Sequence, residues 1–262
     1  MCRCLKVSPS GYYAWRSRRP SPRARENAAL TERIEALHVD SDGVKGSRRI
    51  WRDLREIGAA CGLNRVERLM RLRGLRGIPQ RRRWRRKVPS LRPGGVQNLL
   101  ERDFSAEEPN ARWVTDITYI RTDEHWLYLC VVLDLATDMI VGWSMGARQD
   151  RELVLRAVLM AVGQRDGAGP TILHSDRGAQ FTSDEYQRFL RDHGLVSSMS
   201  AVGSCADNAA AEGFFGRLKR ERVNRRSYRT RREARTDVFD YIERVHNADR
   251  RKRLTLAAEL SV

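Results

Sequence analysis

The sequence predicts an α/β protein, a mixed five-stranded sheet flanked by helices and preceded by a small helical domain of the helix-turn-helix kind. Three observations carry this. Three β-branched and aromatic runs between Arg112 and Trp143 are joined by short connections, which favours an antiparallel meander. Two further apolar runs then alternate with helical periods, which adds single strands and covering helices. Before residue 78, apolar residues recur at helical spacing with arginines between them.

Taken in order, the stretch around Arg18–Pro22 is rich in Arg, Ser and Pro and reads as extended or poorly ordered. From Arg25 to His38, Ala29, Leu30, Ile34 and Leu37 mark a first helix. Ser47 is the expected N-cap of a second, with Ile50, Trp51, Leu54 and Ile57 on one face and Gly58 closing it. Asn64 is the expected cap of a third, with Val66, Leu69 and Met70 inward and Arg65, Arg68 and Arg71 outward. Two short amphipathic helices around a glycine-containing turn fit a helix-turn-helix, whose second helix enters the major groove. The bland alternative is a helical bundle with a solvated Arg face. The run Arg81, Arg82, Arg83, Trp84, Arg85, Arg86, Lys87 holds too little apolar matter to pack and reads as a basic linker that touches DNA.

After Pro109 the texture changes. Arg112–Ile120, Trp126–Leu133 and Met139–Trp143 are the three strands of the meander, Thr171–His174 the fourth and Leu195-Val196 the start of a fifth. Helices are expected over Arg151–Val162, near Ser183–His193, and over Asp207–Arg222 with Phe214, Phe215 and Leu218 inward. The expected organisation is a basic N-terminal segment (1–25), a helix-turn-helix domain (26–78), a basic linker (79–108), a core (109–222) and a basic C-terminal helix (223–262).

Charge follows the same division. Of 262 residues, 50 are Lys or Arg and 33 Asp or Glu, a formal charge of +17. Residues 1–100 carry 25 basic and 8 acidic side chains, residues 101–216 carry 10 and 18, and residues 217–262 carry 15 and 7. A high-GC Arg bias accounts for there being only five lysines, but not for basic flanks around an acidic middle. Basic flanks of this size attract nucleic-acid phosphates. No run of 18 apolar residues exists to span a membrane, and the first thirty residues hold no apolar signal stretch. The five scattered cysteines fit no zinc spacing, so a cytoplasmic, nucleoid-associated protein with reduced thiols is expected.

Three acids stand where a fold would not choose them. Asp116 interrupts an apolar strand between Val114 and Ile117, a position that must be paired or desolvated. Asp176 follows the fourth strand, at the sheet edge where parallel strands deliver functional groups. Glu212 lies in the last helix of the core, 35 residues separating it from Asp176. Hard carboxylates of this kind suit magnesium, and two such ions about 4 Å apart drive phosphoryl transfer. Taken alone, Asp116 reads equally well as a hydrogen-bonded strand residue, Asp176 as an Asx-turn residue and Glu212 as a solvated helix position.

The motifs decide between these. Trp113-Val-Thr-Asp-Ile-Thr-Tyr-Ile120, His174-Ser-Asp-Arg-Gly-Ala-Gln-Phe-Thr182 and Asp207-Asn-Ala-Ala-Ala-Glu-Gly-Phe-Phe-Gly-Arg-Leu-Lys219 resemble the integrase core of OrfB-type insertion-sequence transposases. Ser8–Trp15 and residues 26–76 resemble the front of the same family, so the resemblance spans about residues 7–245. It implies a ribonuclease-H-like fold and a catalytic, metal-binding triad of Asp116, Asp176 and Glu212. It also implies magnesium or manganese, two ions, and DNA strand cleavage by water followed by strand transfer by a 3′-hydroxyl. Lys219, two helical turns from Glu212, matches the family's basic residue and would hold a phosphate, with Asn208 orienting the loop.

The implied partners are element ends and target DNA, further copies of the chain, and the product of an upstream frame of the same element. Two features depart from the family pattern: Asn247–Leu254 keeps only part of the usual tail motif, and Met1-Cys-Arg-Cys lacks the coiled-coil region supplied upstream. A truncated, catalytically silent DNA-binding remnant is therefore the alternative expectation. A nuclease of RNA–DNA hybrids ranks last, because it needs neither basic flanks nor a helix-turn-helix.

Overall fold

A computed structural model describes residues 8–79, 106, 108–165, 169–176, 179–199 and 209–259. The chain divides into two compact units, Met1–Trp84 and Arg85–Val262.

The first unit begins with two helices that share one starting device. Ser8 caps α1 (Pro9–Arg16) and Ser21 caps α2 (Pro22–Asp40), each serine oxygen accepting a backbone N–H three residues on, with proline at the first helical position. The stretch between them is non-helical, as the Arg/Ser/Pro composition predicts. Then come α3 (Ser47–Glu56) and α4 (Leu63–Leu72). Leu30 and Ile34 of α2, Ile50 and Leu54 of α3, and Val66, Leu69 and Met70 of α4 form one core, as the helical periods require.

Three local expectations are corrected here. The N-caps are Gly46 and Gly62, without a side-chain bond, and Ser47 and Asn64 already lie inside their helices. The Ser47 hydroxyl instead bonds Glu67 of α4 at 3.3 Å, since a partner across the turn offers more than its own helix end. Ile57 is exposed, because the helix ends at Glu56 before its period brings Ile57 round to the core. Gly46 has a different use: a Cβ on Gly77 would lie 2.3 Å from the Gly46 nitrogen, so two glycines allow the chain after α4 to lie against the start of α3.

The second unit is a five-stranded mixed sheet in the order β3-β2-β1-β4-β5. β1 (Arg112–Thr122), β2 (His125–Asp134) and β3 (Ile140–Gly146) form the antiparallel meander; β4 (Thr171–Ser175) and β5 (Leu195–Met199) add in parallel beside β1. This is the ribonuclease-H-like arrangement implied by the motifs. α5 (Arg151–Gly163), started by an Asp150 cap, and α7 (Asp184–Asp192), started by Ser183, cover one face. A four-residue α6 (Ala179–Thr182) precedes α7. α5 lies against β3 at Gly142, where a Cβ would meet the Ala157 carbonyl oxygen at 2.2 Å.

The other face is covered by α8 (Ala209–Glu221), whose Phe214, Phe215 and Leu218 point inward, and by the tail. The core does not end at residue 222. Val223, Tyr228, Ala234, Val238, Tyr241 and Ile242 join the same apolar cluster as Val114 and Leu129, so a division at 222 cuts through one packed body. The tail is α9 (Arg231–Asp240), a π-helical turn (Tyr241–Asn247) and α10 (Ala248–Glu259). A capping box of Thr230 and Glu233 starts α9.

The π turn has a visible use. It presents Asn247, whose amide donates to the Ile140 carbonyl and accepts from the Ile140 N–H, both at 2.9 Å. It also presents His246, whose Nε2 lies 2.8 Å from the Asp138 carbonyl, while Arg250 pairs with the Asp138 carboxylate. The partial tail motif therefore pins the tail to the β2–β3 turn. Burial, with the positive charges of Arg217 and Arg250, lowers His246 from 6.5 to about 4.

His246 is thus neutral when folded, whereas the unfolded chain takes up its proton below pH 6.5, so this group withdraws stability as pH falls from 6.5 towards 4. The expected loss is at most about 3 kcal/mol, at 1.36 kcal/mol per pH unit. Urea denaturation of His246→Gln over this range should lack that rise of stability with pH, so its slope against pH is more negative than that of wild type, and an equal slope would count against a buried neutral imidazole.

Candidate active site

The local geometry begins with strand register. β1 pairs with β4 over Arg112–Val114, with Val114 opposite His174. Two more residues along both chains bring Asp116 level with Asp176, which directly follows β4. His174 is fully buried beneath them, with Nδ1 2.9 Å from the Ser198 hydroxyl of β5. From the other layer α8 places Glu212 in its first turn, where a carboxylate complements the helix dipole, and Lys219 in its last.

Electrostatics links the four side chains. The Asp116 carboxyl is pushed up from 3.8 to about 7, first by burial, then by the negative charges of Asp176 and Glu212. A 2.7 Å bond from the Ile117 N–H and the charge of Lys219 oppose that rise. Asp116, Asp176, Glu212 and Lys219 are therefore within one field. Among the described residues, however, no three His, Cys, Asp or Glu groups stand close enough to hold an ion as placed. The donor set has the right chemistry for magnesium: hard oxygens in surplus negative charge, one of them raised by burial and by its two acidic neighbours.

Beside these groups the β1–β2 hairpin carries two aromatic side chains that the sequence reading passed over. Tyr119 and Trp126 are diagonal neighbours across the strands, 5.0 Å apart edge to face, and both are exposed. The Lys219 Nζ lies over the Tyr119 ring at 4.7 Å. The available signal was an aromatic at an outward strand position next to a charged motif.

Of the expected DNA contacts, Arg68 is exposed on α4. Arg65 is not outward: its Nε donates to Asn27 at 2.8 Å and its Nη2 pairs with Glu26 at 3.2 Å, both on α2. A long side chain beside two acceptors on a packed neighbour satisfies its donors there. Asn208 and the run Arg81, Arg82, Arg83, Arg85, Arg86, Lys87 lie outside the described residues. Of the cysteines described, Cys61 and Cys130 are free thiols, and burial pushes Cys130 up to about 12.

The fold and this acidic edge define a polynucleotidyl-transferase type of core, and comparison with known proteins agrees. Two integrase core domain families match residues 106–205 and 212–258, and an HTH-like domain family matches residues 24–83. The chain is 40% identical over 256 residues to the transposase InsF of insertion sequence IS3A from Escherichia coli K12, covering 96% of this chain and 88% of that one. It is 39% identical over 253 residues to an uncharacterized 31 kDa protein of insertion element IS600 from Shigella sonnei, covering 96% and 92%. The solved catalytic core of HTLV-2 integrase is a distant likeness, 22% identical over 42% of this chain and 68% of that one, with a TM-score of 0.36. The chain belongs to the InsF-like insertion-sequence transposases, with an HTH-like domain ahead of an integrase core. Among the described residues no helix is long and apolar enough to cross a membrane.

Proposed function

We propose that the chain cuts DNA strands at the ends of its insertion sequence and joins them to target DNA, with Asp116, Asp176 and Glu212 as the catalytic carboxylates. The observation that carries this reading is Asp116 itself. A carboxyl built into an apolar strand, desolvated there and repelled by Asp176 and Glu212, costs the fold stability, as a group kept for chemistry does. Asp116, Asp176 and Glu212 would hold magnesium or manganese. Two such ions, when bound, supply an activated water or 3′-hydroxyl and stabilise the leaving oxygen.

The chain's own groups have separate tasks. Lys219 holds a DNA phosphate beside the carboxylates, and Asn208 assists in placing it. Arg68 and the arginines of residues 81–87 neutralise phosphates along the duplex. Further copies of the chain complete the assembly on DNA, with the upstream frame's product as an additional partner.

Strand transfer with labelled element ends tests the triad. Asp176→Asn should abolish product under magnesium while duplex binding stays within about twofold of wild type. Wild-type transfer by that variant would overturn the assignment. Binding itself should weaken steeply with salt, with a log–log slope of roughly −0.9 per neutralised phosphate. A slope near zero would remove phosphate contact as the source of affinity.

A further inference from the structure

Lys219 is poorly constrained by its own chain chemistry. Four rotatable carbons separate its ammonium from the backbone of α8, so aiming it at one phosphate needs a second element. The β1–β2 hairpin provides one. The face of Tyr119 lies under the ammonium at 4.7 Å, and Trp126 stands edge-on to that ring at 5.0 Å. Neither aromatic is there to fill a core, since Tyr119 is 55% and Trp126 42% exposed. Trp126 is itself held, its carbonyl accepting from Arg231 Nε of α9 at 3.1 Å. The hairpin tip is tied to the tail again by the Asp123 N–H to the Tyr228 carbonyl at 3.0 Å. The result is an aromatic corner on a strand pair whose backbone is tied to the tail, and a flexible cation arriving from the helix that carries Glu212.

We propose that Tyr119, braced by Trp126, is a positioning residue for DNA. Its ring face holds the Lys219 ammonium beside Asp116, where the backbone phosphate of the reacting strand docks. A cation over an aromatic face keeps its full charge and still has N–H donors to offer an anion, whereas an ion pair with a carboxylate would neutralise that charge. The proposal rests on the reading of Lys219 as a phosphate contact, and its test separates the two.

The experiment uses the full chain and a short duplex of arbitrary sequence, with affinity measured across a salt series. Lys219→Gln should lower affinity and reduce the slope by about 0.9, the share of one phosphate. Tyr119→Leu should lower affinity roughly two- to fivefold, the worth of an exposed cation–π contact, and Tyr119→Phe should restore it. In the Lys219→Gln background Tyr119→Leu should change nothing further, because the cation it positions is gone. Thermal unfolding of each variant checks that the exposed substitutions leave the fold intact. If Lys219→Gln leaves affinity and slope unchanged, the phosphate reading fails and takes the proposal with it. If Lys219→Gln acts as expected but Tyr119→Leu is silent, fails to be rescued by Phe, or is additive with it, the positioning role alone is overturned.

Discussion

Asp116→Asn is expected to remove strand transfer and to make the metal-free protein more stable. The first effect follows from the proposed ligand role: an amide is a poor ligand for a hard ion, and losing several kcal/mol of transition-state charge stabilisation lowers the rate roughly 10³-fold or more. The second follows from the buried carboxyl. Its folded value of about 7 stands above the 3.8 of the unfolded chain, so the folded protein holds the extra proton between those values. Its contribution is therefore complete below pH 3.8 and is lost as pH rises through about 7.

At pH 8 the ionised carboxylate costs the fold on the order of 2–4 kcal/mol, which the asparagine avoids. Urea denaturation without metal should show that gain at pH 8 and little of it at pH 5. This limb runs opposite to that of His246, so the wild-type profile between pH 4 and 6.5 is flatter than either group alone would make it. Magnesium should stabilise wild type and not Asp116→Asn, because only the former presents the full donor set. An active variant would sink the ligand assignment, and equal stability at pH 8 would sink the account of the repelled carboxyl.

Gly142→Ala is expected to be the most damaging single methyl in the second unit. The added Cβ would lie 2.2 Å from the Ala157 carbonyl oxygen and 2.8 Å from both the Ala161 nitrogen and its Cβ. These are atoms of α5, mostly backbone, so no side chain can swing aside and the helix must lift from β3. Lifting it separates Leu153, Val154 and Ala157 from Cys130 and Val132. A loss of about 3 kcal/mol or more is expected, which lowers the melting temperature by roughly 10 °C for a chain of this size. A variant melting within about 2 °C of wild type would show that the helix relaxes at little cost.

Much of this protein was legible in the sequence because its signals are local. β-Branched and aromatic runs marked β1, β2 and β3 within a few residues, and helical periods marked α2 to α5, α7 and α8. The three acids were conspicuous because β structure disfavours an Asp between Val114 and Ile117, and their motifs are contiguous. What needed tertiary structure were partners distant in sequence.

Arg65 looked outward by helical period, yet α2 offers it Asn27 and Glu26 from 38 and 39 residues away. The tail looked like a basic appendage by charge, yet Tyr241 and Ile242 complete the core while its arginines find Asp138, Asp237 and Asp240. Tyr119 looked like one more strand aromatic until Lys219 arrived over its ring from α8. Periodicity assigns a residue to a face of its own element. Which acceptor, ring or charge waits opposite that face is decided by packing, and with it how far a carboxyl such as Asp116 is desolvated.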